Sequence, residues 1–359
     1  DVTNPVEAYN SKYLHRIDMT YALDASDFGG DDYRVFVADT DNLRGNELRG
    51  ALIDKLYSAG VRVVAVPDGA AAGVLLDNYL QTGNTGSLDS YLSVLPADRR
   101  DSARTLWEHV RTRYPGVFHA AGLGADARSA TVGKALTVLA NASYNTPETE
   151  IAEAVQVMRS GTTSDAVYWF KTAMAKYPRQ MERFFGSRYA AVSRLYYAMQ
   201  GTLNVADDSE LPTYDAKQLL KTYKKDGILI FTDEASALMT EGSMASELQA
   251  QLDKQKYGED EDPQRVCAIA AVYGTWSNAG SFTPDDTETA WDADSLTEAL
   301  GGDALRGKDM LLALDGEDSP YLTKSCLLKD TDTPVAEQVQ KLFVLDKNNM
   351  ASPETAKSE

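Results

Sequence analysis

The run Tyr33-Arg34-Val35-Phe36-Val37-Ala38-Asp39, followed by a second at Val61-Arg62-Val63-Val64-Ala65-Val66, decides the fold class of this sequence. Each run has the length and the bulky, β-branched content of a buried strand. Between them Leu48, Ala51, Leu52 and Leu56 recur at helical spacing from Asn46 onward, and Gly60 stands where a left-handed C-terminal cap is wanted. Strand, helix and strand with short connections predict a right-handed parallel crossover, and with it an α/β fold.

Outward from this unit the pattern changes. Residues 1–32 are polar and end in Phe28-Gly29-Gly30-Asp31-Asp32, which reads as an irregular N-terminal segment. From about 70 to 222 helical periodicity dominates, as in Asp101 to Arg113, Thr149 to Arg159 and Gln180 to Met199, and the aromatics there, Phe170, Phe184 and Tyr196 among them, read as bundle core. Strand signals return at Gly227 to Phe231, Val266 to Tyr273 and Met310 to Leu314. The expected architecture is a parallel-sheet α/β core from residues 33–75 and 215–320, with a large, mainly helical, cap-like insertion over 76–214. Residues 321–359 are expected to form a C-terminal extension ending in a flexible tail.

Composition narrows the function. The 359 residues carry 54 acidic and 35 basic side chains, a formal charge of −19, and such a field repels a phosphate backbone, so nucleic acid is not an expected partner. No apolar stretch approaches the ~20 residues that cross a bilayer, so a soluble protein without membrane insertion is expected. Cys267 and Cys326 are read as two free thiols, and His15, His109 and His119 lack metal-ligand spacing. The sequence opens on Asp1 with no charged-then-apolar leader, which reads as a trimmed or processed chain.

Ligands of open parallel sheets sit outside the carboxyl ends of the strands. The residues there are acidic: Asp39 and Asp41 after the first strand, Asp68 after the second, Asp233 and Glu234 after the third, and Asp315, Glu317 and Asp318 later. Converging carboxylates repel unless protonated or neutralised, and an oxygen-only set suits Mg²⁺, so Asp39, Asp41 and Asp233 form the candidate metal set. The competing reading is that aspartates in βα loops cap the next helix.

Val35-Phe36-Val37-Ala38-Asp39-Thr40-Asp41-Asn42-Leu43 resembles the first motif of the haloacid-dehalogenase-like phosphohydrolases, and Ile228-Leu229-Ile230-Phe231-Thr232-Asp233-Glu234 resembles the strand carrying their last acidic motif. The resemblance implies Asp39 as the nucleophile, Asp41 as the acid and base, Mg²⁺ on Asp39 and Asp233, and a lysine, Lys221 or its neighbours Lys217 and Lys224, on the transferring phosphoryl group of a phosphorylated small molecule. The motifs are degenerate. Pro67-Asp68 stands where the family's second strand ends in Ser or Thr, and Ala235-Ser236-Ala237 follows Glu234 without a further aspartate. The expectation is therefore a non-catalytic structural or interaction protein on a degenerate phosphohydrolase-like core, engaged with protein partners or in self-assembly as a processed secreted or virion component. The alternative is a Mg²⁺-dependent phosphohydrolase.

Overall fold

The apolar runs become strands buried along almost their whole length. The computed structural model describes residues 4–17, 19, 33–126, 128–200, 210–255, 263–300, 307–329 and 331–349. They form two compact units, one from residues 1–61 and 231–359, the other from residues 62–230. Among the described residues, nine strands and fifteen α-helices make a mixed α/β structure.

The first unit opens with α1 (Pro5–Tyr13), β1 (Leu14–Ile17), β2 (Tyr33–Asp39) and α2 (Gly45–Leu56). At its end β3 (Val61–Val66) leads into the second unit, which continues with α3 (Ala70–Thr82), α4 (Thr85–Leu92), α5 (Arg100–Arg113) and β4 (His119–Gly122). There follow α6 (Ser129–Ala142), α7 (Thr149–Ser160), α8 (Thr163–Lys176), α9 (Pro178–Phe185), α10 (Tyr189–Gln200), α11 (Leu211–Thr222) and β5 (Gly227–Thr232), which runs back into the first unit. That unit ends with α12 (Glu234–Ala237), α13 (Met244–Asp253), β6 (Arg265–Trp276), β7 (Phe282–Pro284), α14 (Ala293–Leu300), β8 (Asp309–Ala313), α15 (Val335–Gln338) and β9 (Lys341–Asp346).

In the first unit the strand order is β1-β8-β9-β6-β2, with β7 also on β6. Pairing is parallel from β9 through β6 to β2 and antiparallel at β8 and β1. Both faces of a parallel strand are covered, so β2 is buried at every position, whereas an alternating pattern would mark a solvated face. Trp291, Tyr321 and Val344 lie in this unit's core. In the second unit β3 pairs parallel to β4, with Val63 facing His119 and Val66 facing Gly122. Its helices enclose Met158, Phe170, Met181, Phe184 and Phe185, each such burial contributing about 1.5–3 kcal/mol.

The structure departs from the expected boundaries in four places. A strand, β4, lies inside the segment 76–214, and β3 groups with that segment instead of with a 33–75 core, so the mainly helical region contributes strands as well. His-Ala-Ala-Gly has little strand propensity. Close approach holds it: a Cβ on Gly73 would lie 1.8 Å from the Gly122 nitrogen, and one on Gly122 would lie 1.8 Å from the Gly69 oxygen. Residues 1–32 are not wholly irregular, because Asn4 caps α1 and β1 then pairs with β8. Residues 321–359 are not an extension, because β9 is a buried strand between β8 and β6, its Lys341 neutralised by Asp315 at 2.6 Å. The tail from residue 350 lies outside the described residues. The stretch from Gln180 to Met199 is two helices, broken at Gly186, whose φ of 56° suits glycine. Cys267 and Cys326 are not joined in a disulfide, as the sequence led one to expect.

Candidate functional site

Two polar assemblies compete for a functional reading, one in each unit. The first is the acidic strand end. Asp39 closes β2 and is only 6% exposed. Its Oδ1 accepts the Asp41 N–H at 3.2 Å, and the Thr40 N–H continues the backbone bonding onto the Thr232 oxygen at 3.0 Å. Burial pushes the Asp39 acid up to about 7; the Asp41 N–H pulls the other way, and the charges of Glu234, Asp41 and Asp233 add to the rise. The charges of Asp41 and Asp233 thus reach Asp39 at the strand end.

Their oxygens have local duties. Asp233 caps α12 by accepting the Ser236 N–H at 2.8 Å, and Glu234 accepts Thr289 Oγ1 and the Ala290 N–H, both at 2.7 Å. Arg49 donates to Thr40 Oγ1 at 3.0 Å and lies over the Phe231 ring. Among the described residues, no group of three or more His, Cys, Asp or Glu side chains is arranged to hold a metal ion. One oxygen of Asp233 and both of Glu234 are instead given to local partners. Lys221 is exposed on α11 and belongs to the other unit. Asp68 accepts the Tyr91 hydroxyl at 2.8 Å, and Asp315 takes Lys341 and the Tyr33 hydroxyl, so these strand-end acids also have structural partners.

The second assembly was not anticipated. In the 62–230 unit a cavity of about 440 Å³ opens between α3, β4, α6 and α10. Helical spacing puts Ala70, Val74, Asp77 and Gln81 on its α3 wall, while Val138, Leu139 and Ala142 of α6 supply an apolar one. His119, at the start of β4, meets Asp77 Oδ1 through Nδ1 at 3.1 Å, and the same oxygen accepts the Ala120 N–H at 2.9 Å. This hydrogen bond to Asp77 raises the His119 pKa; burial opposes the rise, and the charges of Asp77 and Asp226 support it. The His119 and Tyr223 rings lie 5.9 Å apart.

Arg194 on α10 lines the same cavity and is 8% exposed, flanked in sequence by the buried Val192 and, directly after it, Leu195. No hydrogen bond or ion pair joins its guanidinium to a described residue. Burial lowers its pKa, while Tyr223, Asp215 and Asp77 oppose the fall through charge alone. Asp215 is fully buried; its Oδ2 accepts the Gly124 N–H at 2.9 Å and its Oδ1 has no hydrogen-bond partner among the described residues. Burial pushes its acid up to about 7, against the Gly124 bond and Arg194. The sequence signal for this assembly was one arginine in a helix otherwise rich in alanine and tyrosine.

No known family profile matches the chain, and no curated protein matches its sequence. Solved structures do match its fold. A protein from Bacillus cereus is 12% identical, with a TM-score of 0.60 over 96% of this chain and 97% of its own. A succinoglycan biosynthesis protein is 13% identical, with a TM-score of 0.59 over 96% of each chain. A histidine-to-asparagine mutant of the erythromycin esterase EreC, in its open conformation, is 12% identical, with a TM-score of 0.50 over 88% of this chain and 90% of its own. At these identities the likeness is one of fold alone, and this chain has the α/β architecture those proteins share.

Proposed function

We propose that the chain is a non-catalytic binding or interaction protein that keeps strand-end carboxylates without the metal chemistry they serve in phosphohydrolases. The observation that carries this reading is the state of Asp39. A carboxyl whose pKa lies near 7, surrounded by Glu234, Asp41 and Asp233, holds a proton about half the time at neutral pH. A protonated acid is a poor nucleophile. The neighbouring carboxylates that would have to supply a cation site instead cap α12 and bind the 289–290 backbone and hydroxyl. Partners of such a protein are other proteins or further copies of itself.

A second reading, a Mg²⁺-dependent phosphohydrolase, is favoured by the same cluster, because a raised carboxyl pKa at a strand end is also what an acid set assembled for a cation shows in its absence. Hydrolysis of an aryl phosphate with and without Mg²⁺ separates the two. The expected result is no turnover above buffer and no Mg²⁺-dependent thermal shift, with Asp39→Asn folding normally. Mg²⁺-dependent turnover that Asp39→Asn abolishes would overturn the binding reading.

A further inference from the structure

A buried guanidinium without a hydrogen-bonding partner is costly, because desolvation of the charge is offset only when the donors are paired. Arg194 is 8% exposed, is bonded to no described residue, and lines a cavity of about 440 Å³, into which its guanidinium is accessible. The volume is within the roughly 300–1,000 Å³ range of small-molecule sites. In a chain of net charge −19, this cavity sets two arginines, Arg194 and the exposed Arg188, against the single carboxylate Asp77, which His119 already engages.

We infer that the cavity of the 62–230 unit binds a small amphipathic molecule carrying one carboxylate, which Arg194 receives while Val74, Val138 and Leu139 hold the apolar body. Planar, two-pronged pairing with a carboxylate satisfies a guanidinium better than any arrangement with isolated acceptors. A single negative charge fits best, because Asp77 on the facing helix penalises a dianion. His119 keeps Nδ1 on Asp77, and Nε2 makes no hydrogen bond to a described residue, so it is available to a polar group on the ligand. Asp215 does not substitute for the ligand: its one bonded oxygen is held by Gly124, and its acid is partly protonated at neutral pH. The inference goes beyond the reading of Asp39 and uses none of its residues.

The test uses the full chain with octanoate as probe, octanol as its uncharged counterpart and octyl phosphate as the dianionic one, each titrated by calorimetry and thermal shift. Saturable octanoate binding is expected, with octanol at least tenfold weaker. Arg194→Met should weaken octanoate at least tenfold and leave the fold intact, since it removes a buried charge that has no bond to lose. Ala191→Trp, which fills the cavity while leaving the guanidinium in place, should abolish binding. Asp39→Asn should bind octanoate as the wild type does, so that failure here is distinct from failure of the strand-end reading. Absence of saturable octanoate binding, equal binding of octanol, tenfold tighter binding of octyl phosphate, or an affinity unchanged in Arg194→Met would each overturn the inference.

Discussion

Asp215→Asn stabilises the protein at pH 8 by about 2–4 kcal/mol and leaves its stability at pH 4 nearly unchanged. The folded acid is pushed up to about 7 chiefly by burial, from an ordinary value of 3.8. Between those values the folded state holds a proton that the unfolded chain has released. The stability linked to Asp215 is therefore complete below about pH 4, and it drains away as the pH climbs through 7. Above that, both states are ionised and the folded protein bears the whole cost of a buried charge, on the order of 4 kcal/mol at 1.36 kcal/mol per tenfold in acidity. Asparagine has no charge to bury and keeps an oxygen for the Gly124 N–H; the lost attraction for Arg194 offsets part of the gain. Denaturant unfolding of both proteins at pH 4, 6 and 8 checks this. A stability difference that does not widen with pH would show that burial of the charge is not what Asp215 contributes.

Arg44→Ala destabilises the first unit by about 3–5 kcal/mol. Arg44 is 2% exposed, and its Nη1 donates to Asp309 Oδ1 at 2.6 Å and to the Asp346 oxygen at 3.1 Å, while Nη2 reaches Glu47 at 2.8 Å. One side chain so joins α2 to β8 and to the end of β9. Truncation leaves Asp309 buried and charged with nothing opposite it. The double variant Arg44→Met with Asp309→Asn should recover more than half of the loss, because it removes both charges and retains an acceptor for the Asp346 N–H. If the double variant were as unstable as the sum of its parts, the pair would not be the source of the effect.

What the sequence disclosed about the fold follows from where burial left a one-dimensional trace. Val35 to Ala38 and Val63 to Val66 are continuous apolar runs because parallel strands are covered on both faces, and those lie in β2 and β3. His119-Ala120-Ala121-Gly122 leaves no such trace. It is a strand because Gly69, Gly73 and Gly122 let α3 lie against it, a tertiary cause with no local periodicity. At β9 the misreading came from charge: Lys341 and Asp346 bracket Leu-Phe-Val-Leu, and only the distant partner Asp315 makes a buried lysine acceptable there. The acidic strand end was legible because topology alone brings Asp39 and Asp233 to one edge. The cavity was not, since Asp77, His119, Arg194 and Tyr223 come from four separate segments, and no spacing rule links them.

The parallel pairing of β2 with β6, which sets Val37 opposite Ala268, also fixes a timetable for synthesis. Residues 62–230 are continuous and can close their core as soon as they leave the ribosome. The first unit cannot, because β2 emerges early and its parallel partner β6 begins only at Arg265. At about 5–20 residues per second, β2 spends roughly ten to forty-five seconds without that neighbour. An apolar strand edge left open that long invites association with other nascent chains. The interval that most needs chaperone protection is thus set by the order of segments along the chain, while the finished protein hides β2 completely.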